Sequence, residues 1–508
     1  MKKTILFITL LFSSILLHAQ ETALPTFITD SLQTYITQGM KDWQIPGLSV
    51  AIIKDDKIVF MKGFGTTKVN GSELVDENTL FMIGSNTKAF TATTLSILQE
   101  SGVLSLDDKV QKWMPEFRLK DPLASRDVTI VDLLSHRIGF ETFQGDFAAW
   151  TSTISRADVI KNMSVIEAPY SFRTRWGYCN AAFVTAGELL PRISNKSWEE
   201  TVKDSILVPL QMDRTLMLAE ELITASNASV AHTNIDGTIT EIPIPNINNL
   251  APAGSMSSSA KDMTQWLFAQ LNDGKIGDEQ RISSRGIRAI RSPSSILGVD
   301  SRDHKETHFY LYGMGLDIND RNGELVYSHT GGVDGFLSSV LFIPEQKLGI
   351  VVLTNTDANS FFQNLSDQIR DSFLGLPYQD YSKQSLERSK KSDLEEKQRI
   401  DSLKKVVYLK AMPSVPLKKF SGKYTNDLYG EIEIKLEKNN LNIHFSKHPK
   451  LIGKLEHLQN DRFLCTYSNP TFGVVEMPFK IENDTVIGLT LTVADFIEFT
   501  PYEFTKIN

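Results

Sequence analysis

Ser85 and Lys88 lie three residues apart in the stretch Phe81-Met82-Ile83-Gly84-Ser85-Asn86-Thr87-Lys88-Ala89-Phe90-Thr91-Ala92. The residues beyond, through Thr94, Leu95, Leu98 and Gln99 to Gly102, read as helix. On a helix, side chains at this spacing share one face and can meet. A hydroxyl beside an amine, at the positive end of a helix, is one way to build an activated nucleophile. The amine takes the proton and the helix dipole favours the charge that develops. The same spacing also describes an ordinary solvated helix start, so the pair needs partners from elsewhere in the chain.

Two other clusters could supply them. Tyr178-Cys179-Asn180 closes an irregular aromatic segment, 170–180, ahead of a helix expected over 181–190 and stopped at Pro191. At such a helix start a phenol and an amide can face a cleft. The alternative is a buried aromatic beside a helix-capping asparagine. His329-Thr330-Gly331-Gly332 is expected to follow the end of a strand over 324–328. Two glycines there allow close backbone approach and leave amides free to donate, or simply make a turn. His136 falls in a short helix expected within 128–137 and reads as a structural hydrogen-bonding residue rather than a catalyst.

The elements that would position these groups are legible in outline. Ile28, Leu32, Tyr35, Ile36 and Met40 repeat at helical spacing. Two β-rich runs, 48–53 and 58–64, flank Lys54-Asp55-Asp56-Lys57 as a hairpin. Strand-like runs at 313–318, 324–328, 335–343 and 348–355 precede a last helix over 360–374. Residues 384–405 mix Glu, Asp, Lys and Arg and read as a solvated helical linker or a flexible connection. Beyond Pro413 the pattern becomes short alternating strands, with Ile432, Ile434 and Leu436, then an Asn439-Asn440 turn, then Leu441, Ile443 and Phe445. The division expected is a signal peptide at 1–20, a main domain at 21–380, a charged linker at 381–412 and a small, mostly β domain at 413–508, a compact barrel.

Composition narrows the class. With 508 residues, 41% hydrophobic and 22% charged, the chain is that of a multidomain globular protein with a large core. A net charge of −8 and a pI near 5.7 argue against nucleic acid or an anionic membrane surface as partner. Met1-Lys2-Lys3, an apolar run from Thr4 to Leu17 and then His18-Ala19-Gln20 describe a secretory signal peptide, so an exported, periplasmic or secreted protein with no stable membrane anchor is expected. Cys179 and Cys465 sit far apart, so no disulfide framework is expected. Neither a metal site nor a cofactor motif is supported.

Taken in order, Ser85-x-x-Lys88, Tyr178-x-Asn180 and His329-Thr330-Gly331 resemble the motifs of serine hydrolases related to class C β-lactamases and penicillin-binding proteins. Leu133-Leu134-Ser135-His136-Arg137-Ile138-Gly139 and Pro252-Ala253-Gly254-Ser255 are similar to two further segments of that family. The resemblance implies an α+β fold, an antiparallel sheet flanked by helices plus a helical lobe, with the cleft between them. The tail is similar to the lipocalin-like β-barrel appended to some D-stereospecific serine peptidases. It also implies roles. Ser85 attacks a carbonyl to form an acyl-enzyme, and Lys88 and Tyr178 share the proton transfers. Asn180 orients the lysine or the substrate amide, the amides of Ser85 and Gly332 form the oxyanion hole, and Thr330 and Gly331 line the substrate strand. His329 departs from the lysine usual in β-lactamases and transpeptidases, and a mostly neutral imidazole weakens the case for a substrate carboxylate. The expected substrates are small peptides, amides or esters, peptidoglycan-derived ones included. The rivals are a cell-wall D,D-peptidase or weak β-lactamase, and a catalytically silent binder of peptidoglycan fragments.

Overall fold

The computed structural model describes residues 23–299, 306–409 and 412–507. The segment expected to be a signal peptide lies outside them. At the centre is an antiparallel sheet of eight strands. Its order is Lys57–Gly65, Gly47–Lys54, Leu348–Thr354, Phe336–Ile343, Glu324–Val333, Asp317–Arg321, Phe309–Tyr312 and Ser295–Val299. The first two strands form the expected hairpin. Asp55 and Asp56 both take left-handed backbone (φ 51° and 62°), the geometry whose twist suits a two-residue turn.

The central strands are buried on both faces, which is why Leu48, Val50, Ala51, Ile52 and Ile53 run without alternation. One face packs against helices Leu32–Asp42 and Phe361–Phe373. The other packs against helix Ala260–Leu271 and the lobe built around helices Thr87–Glu100 and Asn180–Ser194. That second helix runs through Pro191, where the sequence suggested a stop. Pro191 lies in its last turn, few residues follow it, and Asn195 in left-handed backbone closes the end by donating to the Pro191 carbonyl.

Helix Tyr381–Tyr408 then leads to a closed eight-stranded barrel between Gly422 and Ile507. The alternation of Ile432, Ile434, Leu441, Ile443 and Phe445 turns those side chains into its interior. The barrel grips the segment 141–150 of the main body. Phe147 enters its mouth and forms a three-ring cluster with Tyr429 (4.9 Å) and His448 (5.5 Å), whose own centroids lie 5.6 Å apart. His448 Nε2 and the Trp150 carbonyl lie 2.8 Å apart, and Thr153 N–H donates to the Lys447 carbonyl. No helix among the described residues is long and apolar enough to cross a membrane.

Candidate active site

Between Phe81 and Ser96 every residue is buried except Ser85, which opens into a cavity of about 330 Å³. Ser85 sits in the tight turn Gly84–Asn86 that leads into helix Thr87–Glu100, and an amide so placed has no acceptor within the helix. Gly84 takes φ +51°, and a Cβ there would lie 2.8 Å from the Gly332 nitrogen. At Gly331 a Cβ would lie 1.9 Å from the Ile83 carbonyl oxygen. The glycines therefore let strand Glu324–Val333 press directly on the serine turn. The strand does not end at residue 328 but runs on through the glycines, with Gly331 opposite Ser338 and Gly332 opposite Leu337, so the alternative of a plain turn does not hold. The absent side chains serve packing against residue 83, not chain reversal.

Lys88 is fully buried one turn below Ser85. Its Nζ lies 3.1 Å from Ser85 Oγ, 2.7 Å from Asn180 Oδ1 and 2.8 Å from the Ala253 carbonyl oxygen. The Tyr178 ring stands 4.6 Å from the same nitrogen. Burial lowers the Lys88 pKa to about 7, against the pull of Asp146. A neutral amine has two hydrogens and one lone pair. With the hydrogens given to Asn180 and Ala253, the lone pair is left for the serine hydroxyl.

Asn180 is held from behind. Its Nδ2 donates to Asp146 Oδ2 at 2.6 Å, which fixes the amide so that Oδ1 faces Lys88. It starts its helix but does not cap it. Asp146 is buried, and its pKa is pushed well above the carboxylate range by burial and by the nearby Glu498. Glu498, from the barrel, accepts from the backbone of Gly145 (2.8 Å) and Phe147 (2.9 Å) and from the Tyr502 hydroxyl. A chain of polar contacts thus runs from Ser85 through Lys88, Asn180 and Asp146 toward the barrel.

The Tyr178 hydroxyl is buried and makes no hydrogen bond of good geometry among the described residues. Burial raises its pKa strongly, with the Ser85 hydroxyl offsetting part of the rise. His329 is engaged at both nitrogens. Nδ1 lies 2.6 Å from the Thr330 carbonyl and so carries the proton, and Nε2 accepts from the Tyr312 hydroxyl at 3.0 Å. Burial, then Lys88, lowers its pKa to about 3, so the ring is neutral near pH 7. His136 accepts from the Cys179 amide at 3.0 Å and packs under Tyr178, a positioning contact.

Ser85, Tyr178, Asn180, His329, Thr330 and Gly332 all line the cavity, with Lys88 beneath it and Gly331 behind the serine turn. Sequence reasoning missed Asp146, Asp317 and Tyr312, which also line it. It missed too the barrel residues Phe496 and Ile497 that form one wall. No spacing marks these residues, because packing between distant segments brings them there. Among the described residues no cluster of His, Cys, Asp and Glu could hold a metal ion.

A family model described as Beta-lactamase matches residues 32–372, and one described as Domain of unknown function (DUF3471) matches 409–506. Unguisins hydrolase ungD of Aspergillus violaceofuscus is 26% identical over 472 residues, covering 85% of this chain and 82% of that protein. Protein flp of Staphylococcus aureus is 27% identical over 343 residues, 66% of each chain. Among solved structures, the octameric penicillin-binding protein homologue from Pyrococcus abyssi aligns with a TM-score of 0.61 at 23% identity, over 94% of this chain and 99% of that one. A D-stereospecific amidohydrolase from Streptomyces sp. aligns with a TM-score of 0.55 at 21% identity, over 68% of this chain and 98% of that one. With a match that takes in the serine turn, the helical lobe and every strand of the large sheet, the chain belongs to the Beta-lactamase family.

Proposed function

We propose that this chain is an exported serine hydrolase that cleaves peptide, amide or ester substrates through an acyl-enzyme on Ser85. The observation that carries the reading is the Lys88 amine, 3.1 Å from Ser85 Oγ with its other two contacts satisfied by Asn180 and Ala253. An amine lowered to about 7 is a base suited to neutral pH. It takes the serine proton as Oγ bonds to the substrate carbonyl carbon. The oxyanion that forms is received by the amides of Ser85 and Gly332, and loss of one such donor typically costs about 3 kcal/mol of transition-state stabilisation. Tyr178, over the cleft, relays the proton to the departing amine or alcohol, and water then repeats the sequence on the ester.

Among relatives, a protein named as a hydrolase of unguisins is similar over 85% of this chain, which supports a hydrolytic activity. The neutral His329, tied to Tyr312, offers no fixed positive charge to a β-lactam or C-terminal carboxylate. That disfavours efficient β-lactam turnover. Hydrolysis of p-nitrophenyl acetate by the mature chain, beside Ser85→Ala, tests the reading. Turnover that falls to background in the variant is expected. Equal inertness of both proteins would turn the reading toward a silent binding protein.

A further inference from the structure

One carboxylate in the cavity has no partner among the described residues. Asp317 begins the strand Asp317–Arg321, opposite Tyr312 on one side and Ser328 on the other, and lines the same cavity as Ser85. Its side chain makes no hydrogen bond or ion pair among the described residues. Asp317 is half-buried, whereas the fully buried carboxylates beside the cleft are occupied: Asp146 by Asn180, Glu498 by two backbone amides and Tyr502, and Asp334 by Trp150. Burial alone raises the Asp317 pKa to about 7.

What faces Asp317 explains why it stays unpaired. Tyr312 and Tyr178 are the phenols nearest in charge interaction, and burial keeps both neutral. His329 beyond them is neutral, and Lys88 is held by Ser85, Asn180 and Ala253. Among the described residues, no arginine or lysine lines the wall. An unpaired carboxyl in such surroundings is unfavourable until a cation arrives, and the hydrogen bond then formed is of the strong, charge-assisted kind. The aromatic walls, Trp150, Trp176 and Phe496 among them, also suit a cation. At about 330 Å³, with Phe496 and Ile497 closing one side, the space is at the small end for a ligand pocket and takes a chain end more readily than a through-running chain.

We propose that Asp317 binds an ammonium group of the substrate, so that the site selects peptides, amides or esters with a free amine close to the scissile carbonyl. The assignment rests on the reading of Ser85 as nucleophile only for what happens after binding. It inverts the charge preference of a site built to hold a substrate carboxylate, and Asp317 acts in specificity rather than in bond breaking.

The test separates binding from turnover. Full-length mature Ser85→Ala, which cannot acylate, is titrated near pH 7 with alaninamide and with N-acetylalaninamide, each as both enantiomers. Quenching of Trp150 and Trp176 is followed. The free amine of at least one enantiomer is expected to bind about tenfold more tightly than its acetylated form, the size of one charge-assisted hydrogen bond. Adding Asp317→Asn, which keeps the shape and removes the charge, is expected to shrink that ratio below about threefold. A wild-type-like ratio in the double variant, or no preference for the amine with Asp317 intact, overturns the proposal. Because the readout needs no catalysis, a failed esterase assay would sink the nucleophile reading while leaving this result to stand or fall on its own.

Discussion

Replacing Asn180 by aspartate puts a carboxylate where an amide oxygen now accepts from Lys88 at 2.7 Å. The lysine sits at about 7 because burial penalises its charged form. An opposite charge at that distance moves a pKa by roughly 1 to 3, upward for an amine. Taking a rise of about 2, the lysine would titrate near 9, and its neutral fraction at pH 8 would drop from roughly nine-tenths to one-tenth. If the neutral amine is the base, kcat/KM at pH 8 falls about tenfold and is recovered as the pH is raised toward 10. The lost donor to Asp146 is a lesser disturbance, since burial already favours a protonated Asp146 that can donate in its place. The assay is kcat/KM for p-nitrophenyl acetate across about pH 6 to 10, with the blank rate subtracted. An alkaline displacement of the inflection is expected. A profile scaled down uniformly, with its inflection still at about 7, would refute the assignment of that titration to Lys88.

Three further outcomes are expected. Gly331→Ala drives a methyl against the Ile83 carbonyl, 1.9 Å away, and the displaced strand should lower kcat roughly 100-fold with thermal stability reduced by no more than about 3 kcal/mol; near-wild-type turnover would show that the close approach is dispensable. Glu498 titrates near 7 when folded against an ordinary 4.5, so its contribution to stability is full below about pH 4.5 and is lost as the pH rises through 7, roughly 3 kcal/mol in all. The thermal midpoint should therefore fall from pH 5 to pH 8 more steeply in the wild type than in Glu498→Gln, and equal slopes would contradict this. Cys179 and Cys465 are both buried, and burial raises the Cys179 thiol to about 12, so Ellman's reagent should leave native protein unlabelled and find two thiols only after denaturation.

Local rules made part of this molecule readable from its sequence. Ser85 and Lys88 could be paired because a helix brings residues three apart together, and the barrel strands could be seen because Ile432, Ile434, Leu441, Ile443 and Phe445 alternate. The first hairpin could be read from the β-rich runs on either side of Lys54-Asp55-Asp56-Lys57, while the left-handed backbone of its two aspartates is seen only in the structure. What stayed hidden depends on contacts between remote segments. The run from His329 to Gly332 looked like a strand end because glycines usually mark one, yet here they admit the serine turn. Asp146 gains its role only through Asn180 and Glu498, separated from it by 34 and 352 positions. Phe496 becomes a wall of the cavity because Phe147 plugs the barrel and brings that loop over the cleft.

In the proposed reaction Ser85 carries the acyl group. Intact-mass spectrometry of the mature chain, quenched in acid during p-nitrophenyl acetate turnover, reads it directly. A species heavier by one acetyl group is expected, mapped by peptide analysis to Ser85 and absent from Ser85→Ala. Sustained turnover with no adduct on Ser85, or an adduct that persists in Ser85→Ala at the same rate, would contradict it.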